Sequence, residues 1–217
     1  VLKRPRLRLV LALSLDGRLA PPEGGAAQIG GRGDRMVLEQ ALAWADAALL
    51  GAETLRRHGS TCLIHRRGLL LRRRLAGRRP QPIAIVASRS GRLPPDLPFF
   101  RQPLERWLLQ ADAGCQPTLP GFQRCLRSCH WGDGLAQLAA AGVARLAVLG
   151  GAALAADLLA ADMLDELQLT LCPRLLGGGH GWLPASARPP STSWRLRRSR
   201  RLPGEELLLH YERATGP

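Results

Sequence analysis

A chain of 217 residues, 46% of them hydrophobic, is long enough to bury one good core, and with no linker-like stretch dividing it residues 1–217 read as a single domain. A formal net charge of +14 points toward nucleic acid, but Lys3 is the only lysine, a skew that looks like codon bias. The basic clusters at 66–79 and 195–201 have only Trp194 beside them. That leaves no stacking platform for bases, so a solvated arginine-rich surface is the better reading and a nucleic-acid partner the lesser one.

The chain begins with a basic segment and an apolar run that superficially resembles a signal peptide. Arg8 interrupts the run, Asp16-Gly17 follows it, and no small-residue cleavage site is evident. Residues 6–15 instead alternate Leu7, Leu9, Leu11 and Leu13 with Arg8, Val10, Ala12 and Ser14. This predicts a strand with one very apolar face, covered on both sides by its end. Asp16-Gly17 signals a turn, and the glycine-rich stretch 24–33 is a loop. Asp34 caps a predicted helix running to Trp44, with Met36, Val37, Ala41 and Leu42 on its apolar face. Residues 47–50 are a short strand, followed by Gly51-Ala52-Glu53-Thr54. Thr54 there either bonds a phosphate or caps the next helix.

Residues 65–82 are strongly basic, with a short helix at 69–75 between ends that read as solvated and mobile. A third apolar strand, 83–87, leads to Ser88-Arg89-Ser90-Gly91. An arginine beside a strand end binds a ribose 2′-phosphate in some dinucleotide sites; it is equally an ordinary turn residue. Residues 94–103 are proline-rich connection, 106–110 a strand, and 122–129 ambiguous. The five cysteines (62, 115, 125, 129 and 172) are odd in number and irregular in spacing, which argues against a disulfide framework. Cys125, Cys129 and His130 lack the second ligand pair of a structural zinc site, so no metal is expected. Reduced thiols fit a cytoplasmic location, and no run approaches membrane-spanning length.

A helix at 134–141 ends at Gly142. The stretch 144–166 follows: an apolar strand at 145–149, Gly150-Gly151, then Leu154, Leu158, Leu159 and Ala161 near helical spacing. Strand, glycine turn and helix together point free backbone N–H groups and a positive dipole end at one spot. A phosphate or pyrophosphate is the natural occupant; a tight turn without a ligand is the alternative, since the full G-x-G-x-x-G pattern is absent. Leu167, Leu169 and Leu171 define one face of a strand at 167–172. Residues 180–193 are loop, and 194–201 with 206–213 form a closing antiparallel pair. The class is α/β, with a mainly parallel central sheet and antiparallel C-terminal strands.

The segments LALSLDGRLA, ADAALLGAETL, PIAIVASRSG, LAVLGGAALAADLL and DMLDELQLTLCPRLLGG occur in that order. Together they resemble the reductase domain of riboflavin biosynthesis, the C-terminal half of the bifunctional deaminase-reductase, here in stand-alone form. The resemblance implies a dihydrofolate-reductase-like three-layer αβα fold and a homodimer. It also implies NADPH-dependent reduction of the ribose of 5-amino-6-(5-phosphoribosylamino)uracil, a small phosphorylated substrate. Carried over by motif, Ala12, Thr54 and Ser88 contact the cofactor, and the glycine turn and helix start (Gly150, Gly151, Ala152, Ala153, Leu154) hold its pyrophosphate. Arg89 joins them as the candidate for the 2′-phosphate. Ser14 and Asp16 fall beside the nicotinamide, Asp16 either orienting substrate and a proton-donating water or only forming its turn.

The chain departs from the family at Val10, Leu42 and Leu149, where the family commonly has lysine, arginine and glutamate. It departs again at His58-Gly59-Ser60, in place of Asp-Asp-Pro. Arg56, Arg57, His58 or Arg66 are the candidates to supply the lost phosphate contacts. Two rivals stay open: a reductase of the same fold acting on a pterin or dihydrofolate-like ring, and an arginine-rich nucleic-acid binder.

Overall fold

The computed structural model describes residues 4–25, 28–111 and 120–214; Cys115 and positions 26 and 27 of the glycine-rich loop lie outside them. In chain order the elements are β1 (Arg6–Ser14), α1 (Arg32–Trp44), β2 (Ala47–Gly51), α2 (Ala52–His58), α3 (Arg67–Leu75) and β3 (Ile83–Ser88). Then follow β4 (Arg106–Gln110), β5 (Arg124–Arg127), α4 (Trp131–Ala140), β6 (Arg145–Val148) and α5 (Ala152–Ala160). The chain closes with β7 (Glu166–Cys172), β8 (Trp194–Leu202) and β9 (Glu206–Arg213). The predicted alternation holds, and the ambiguous 122–129 segment becomes β5. Helix α4 begins three residues before the predicted Gly134, because Trp131, Gly132 and Asp133 form its first turn.

These elements form two compact units, Val1–Arg6 with Glu39–Ala147, and Leu7–Leu38 with Val148–Pro217. In the first, strands run in the order β5-β4-β3-β2-β6. Strands β2 to β5 pair in parallel, and Gly51↔Ala87 and Ser88↔Gln110 bring their carboxyl ends level. Their continuous apolar runs read as strands buried on both faces, and Ala47 to Leu50 and Ile83 to Val86 are all buried. Leu50, Leu55, Val86, Leu108 and Phe99 form the core. Phe99, Phe100 and Phe122 close it with ring contacts at 5.3–6.3 Å, edge-on from Phe100 to each of the others and tilted between Phe99 and Phe122.

The basic 65–82 stretch is not simply solvated. Arg73 is 2% exposed and donates to the carbonyls of Leu42, Ala43 and Ala45 at the end of α1, and to that of Arg79. Arg78 donates to Ala43, Trp44 and Ala45 and to the Asp46 carboxylate. A helix leaves its last carbonyls without intrahelical donors, and two guanidinium groups fill that need.

In the second unit the order is β1-β7-β9-β8. β1 pairs with β7 in parallel, Leu9↔Leu167 to Ser14↔Cys172, and β9 and β8 continue antiparallel. β8 ends the order and carries five arginines (195, 197, 198, 200 and 201), which discourage pairing with a further strand. The leucine face expected for β7 is the less buried one: Leu169 and Leu171 are half-buried, while Glu166, Gln168, Thr170 and Cys172 are buried. Those polar groups tolerate burial because they are bonded. Glu166 meets Arg8 and His210, and Gln168 donates to the Val37 carbonyl.

Candidate active site

The second unit holds three of the singled-out groups. Ser14 ends β1 fully buried, and Gly17, at φ +73°, closes the predicted turn with its N–H on the Ser14 carbonyl. Asp16 projects from that turn. It accepts from the Ser14 hydroxyl at 2.6 Å and from the backbone N–H groups of Leu176 and Gly177 at 3.1 and 2.7 Å. The Ser14 bond, followed by the two amides, holds its carboxyl well below the usual carboxylate range. Asp16 is thus a permanent anion near neutral pH, able to orient and attract but not to deliver a proton. Leu15 and Leu175 lie exposed just beyond the ends of β1 and β7, and the two segments are joined where the Leu15 N–H meets the Arg174 carbonyl at 2.8 Å.

Gly150 and Gly151 both sit at positive φ, +87° and +94°. A Cβ on Gly150 would meet Leu11 at 3.0 Å, so this turn lies directly on β1, one residue before Ala12. Gly151 is the N-cap of α5, and no side chain caps that end. The first N–H groups of a helix have no intrahelical acceptor, and this leaves the Ala152, Ala153 and Leu154 amides at an end that no side chain caps. The Leu154 side chain belongs to the core, so only its main chain is available to a ligand.

The same unit contains a cluster absent from the sequence reading. Glu206, at the start of β9 and 2% exposed, accepts from the N–H groups of Gly31 and Asp34. It therefore caps α1 from 172 residues away. Asp34 does not open the helix as predicted; α1 starts at Arg32 and Asp34 lies in its first turn. Burial, against a Thr170 hydrogen bond and with the Glu206 charge, pushes the Asp34 carboxyl above its ordinary value. Burial and the same two carboxylates push the Cys172 thiol up to about 12. The only trace of the cluster in sequence is the glycine spacing. A Cβ on Gly33 would lie 2.6 Å from Glu206, Leu202 and the Pro203 carbonyl.

The first unit holds the other candidates. Gly51 is the N-cap of α2 with no side-chain hydrogen bond, so Thr54, inside the helix and half-buried, is not its cap. Ser88 ends β3, and its hydroxyl accepts from the Gly91 N–H at 3.0 Å; Arg89 beside it is exposed. Arg56 reaches across to the Arg92 carbonyl at 2.7 Å and, with Arg57, toward Glu53. The structure therefore brings Arg56 to the turn that follows Ser88 and Arg89. His58 ends α2 exposed. Leu42 is fully buried and Val10 is 7% exposed, so both are packing residues. Among the described residues, no three His, Cys, Asp or Glu side chains gather as metal ligands. No helix of the described residues is long and apolar enough to cross a membrane.

Parallel strands whose carboxyl ends carry glycine turns and helix starts without side-chain caps, together with antiparallel C-terminal strands, define an α/β protein with a mainly parallel sheet. The chain belongs to the RibD C-terminal domain family, whose model matches residues 5–208. A curated relative is the 2,5-diamino-6-ribosylamino-4(3H)-pyrimidinone 5′-phosphate reductase of Archaeoglobus fulgidus, 21% identical over 182 residues, covering 81% of this chain and 83% of the relative. A pyrimidine reductase-like protein of Corynebacterium diphtheriae superposes with a TM-score of 0.78 at 19% identity, covering 98% and 93% of the two chains. Dihydrofolate reductase of Enterococcus faecalis, solved with NADP(H), superposes at 0.50 with 12% identity over 97% of each chain. The fold is dihydrofolate-reductase-like, as the sequence resemblance implied.

Proposed function

We propose that this chain is an NADPH-dependent reductase of riboflavin biosynthesis, with residues 1–217 acting as one reductase domain. Its substrate is a ribosylaminopyrimidine 5′-phosphate, 5-amino-6-(5-phosphoribosylamino)uracil in the first place, reduced at ribose C1′. The observation that carries the reading is the glycine cradle at Gly150-Gly151 behind the uncapped start of α5, in a chain of the RibD C-terminal domain family. Two adjacent residues without side chains let an anion reach the helix amides, which is what a dinucleotide pyrophosphate requires.

In this reading the cofactor contacts in the second unit are Ala12 and the main chain of residues 150–154, which takes the pyrophosphate, and those in the first unit are Thr54, Ser88 and Arg89. Arg89 favours NADPH over NADH through the 2′-phosphate. When bound, the cofactor supplies a hydride. Asp16 keeps Ser14 and the 176–177 main chain fixed beside the reacting group, and as a permanent anion it favours the protonated, cationic imine form of the substrate, the form that accepts a hydride more readily. Arg56 and His58 take the substrate phosphate. The protein acts as a cytoplasmic homodimer.

The test is NADPH oxidation by the purified protein with the aminouracil phosphate, with the diaminopyrimidinone phosphate in the relative's name, and with dihydrofolate. Turnover of either ribosylamino compound, and growth restored in a riboflavin-requiring strain, supports the reading. Turnover of dihydrofolate alone would point to the second reading, a reductase of this fold with a different substrate. That reading draws on Val10 and Leu42, packed in the core where a charged substrate contact is expected. No saturable NADPH binding overturns both.

A further inference from the structure

The first unit carries a polar recess at the amino-terminal ends of its strands, away from Gly51, Ser88 and Gln110 at the carboxyl ends. It encloses about 330 Å³ and is lined by Ile83, Trp107 and Arg124 near the starts of β3, β4 and β5. Arg78, Arg79 and Glu105 form much of its remaining wall. We propose that this recess is a second ligand site, taking inorganic phosphate or a small phosphomonoester through Arg79 and Arg124.

Four arginines (73, 78, 79 and 124) face two carboxylates, Asp46 and Glu105, around this space. The two acids are already committed. Asp46 accepts from the Ala144 and Arg145 amides as well as from Arg78 and Arg145. Glu105 accepts from the Trp107 indole N–H at 2.6 Å and pairs with Arg79 Nε at 2.8 Å. That leaves Arg79's two terminal nitrogens unengaged among the described residues, on a side chain 60% exposed. Arg124 stands over the Trp107 ring at 4.6 Å and has no carboxylate partner among the described residues. The ring fixes the guanidinium without using its N–H donors.

The surplus of two positive charges matches a phosphate dianion, and forked guanidinium donors match its oxygens. The crowding of cations is felt by Arg73 beneath the recess. Burial, with Arg78 and Arg145 nearby, lowers its proton affinity to about 10 despite Asp46. A bound dianion offsets the part of that shift that comes from the neighbouring arginines. A nucleic-acid backbone is a poorer match, because it needs cations spread along a surface and these converge on one hollow.

The experiment is calorimetric titration of inorganic phosphate into the intact protein at fixed ionic strength near neutral pH. It is repeated with Arg124→Ala, with Arg79→Ala, and with Arg195→Ala on the exposed β8 as control. Melting curves establish that each variant is folded. The expected result is saturable binding that weakens about tenfold in either recess variant and is unchanged in the control. Saturating NADPH leaves it in place. Absence of saturable binding, or equal binding by Arg124→Ala, overturns the proposal. So does phosphate binding displaced by NADPH, which assigns the ion to the carboxyl-end site, or binding of a duplex oligonucleotide without binding of phosphate.

Discussion

A single buried carboxylate, Glu206, decides how helix α1 begins. It serves the N–H groups of Gly31 and Asp34 and leaves Gly33 no room for a side chain. Glu206→Gln keeps the shape but turns an amide NH2, which cannot accept, toward one of the two N–H groups, so a loss of about 1–3 kcal/mol is expected in urea unfolding. Gly33→Ala drives a methyl into backbone and is expected to cost at least about 2 kcal/mol in the same measurement. Asp34 adds a pH signature. Its folded-state pKa is raised, so the folded state holds a proton that the unfolded chain releases first. Stability then falls as pH rises from the ordinary aspartate value through the raised one. Asp34→Asn is expected to remove that fall and to leave the protein relatively more stable near neutral pH, as read from melting temperature against pH. A fall of equal size in the variant would refute the assignment.

At the scale of elements, the two ends of α1 are held by very different distances of chain. Its C-terminal carbonyls meet Arg73 and Arg78 from the 65–82 stretch. Arg73→Met fills similar volume but strips donors from several buried carbonyls. The expected destabilisation is about 3 kcal/mol, with exposed Arg72→Met close to neutral as the comparison. The α5 start behaves differently, because its amides stay open. Gly150→Ala combines a positive φ with a 3.0 Å approach to Leu11. It is expected to cost about 1–3 kcal/mol and to raise KM for NADPH well beyond what that stability loss explains. An unchanged KM would detach the glycine turn from the cofactor.

Over the whole molecule, Asp16 and Asp46 work in the opposite sense to Asp34. The Ser14 and 176–177 hydrogen bonds lower Asp16. Although burial would raise Asp46, bonds from the Arg145 and Ala144 amides and the charges of Arg78 and Arg145 lower it. Groups with depressed folded pKa values stabilise above the ordinary aspartate range and lose that contribution as pH falls through their folded values. Acid unfolding is therefore expected to steepen below the usual carboxylate range, and less so in Asp46→Asn. The net charge of +14 is partly internal structure: Arg8, Arg73 and Arg78 are engaged with acids or carbonyls. A nucleic-acid binder would show affinity falling steeply with salt. The expected outcome is weak oligonucleotide binding, beside NADPH binding that saturates.

Most of the order of strands and helices, and the glycine turn at 150–151, were legible in local pattern, while β5 at 124–127 was not. The family was legible as a resemblance carried by five segments in order, whereas the elements follow from periodicity and turn residues a few positions apart. The antiparallel close at 194–213 was legible for the same reason. Tertiary structure decided which carboxylate answers which amide: Glu206 with Gly31 and Asp34, Asp16 with Leu176 and Gly177, Asp46 with Ala144 and Arg145. It also turned the polar face of β7 inward and sank Arg73 beneath a stretch that reads as solvated. Those outcomes depend on partners up to 175 residues apart, and hydrogen-bond satisfaction in a buried site is a property of the assembled surroundings that no local pattern encodes.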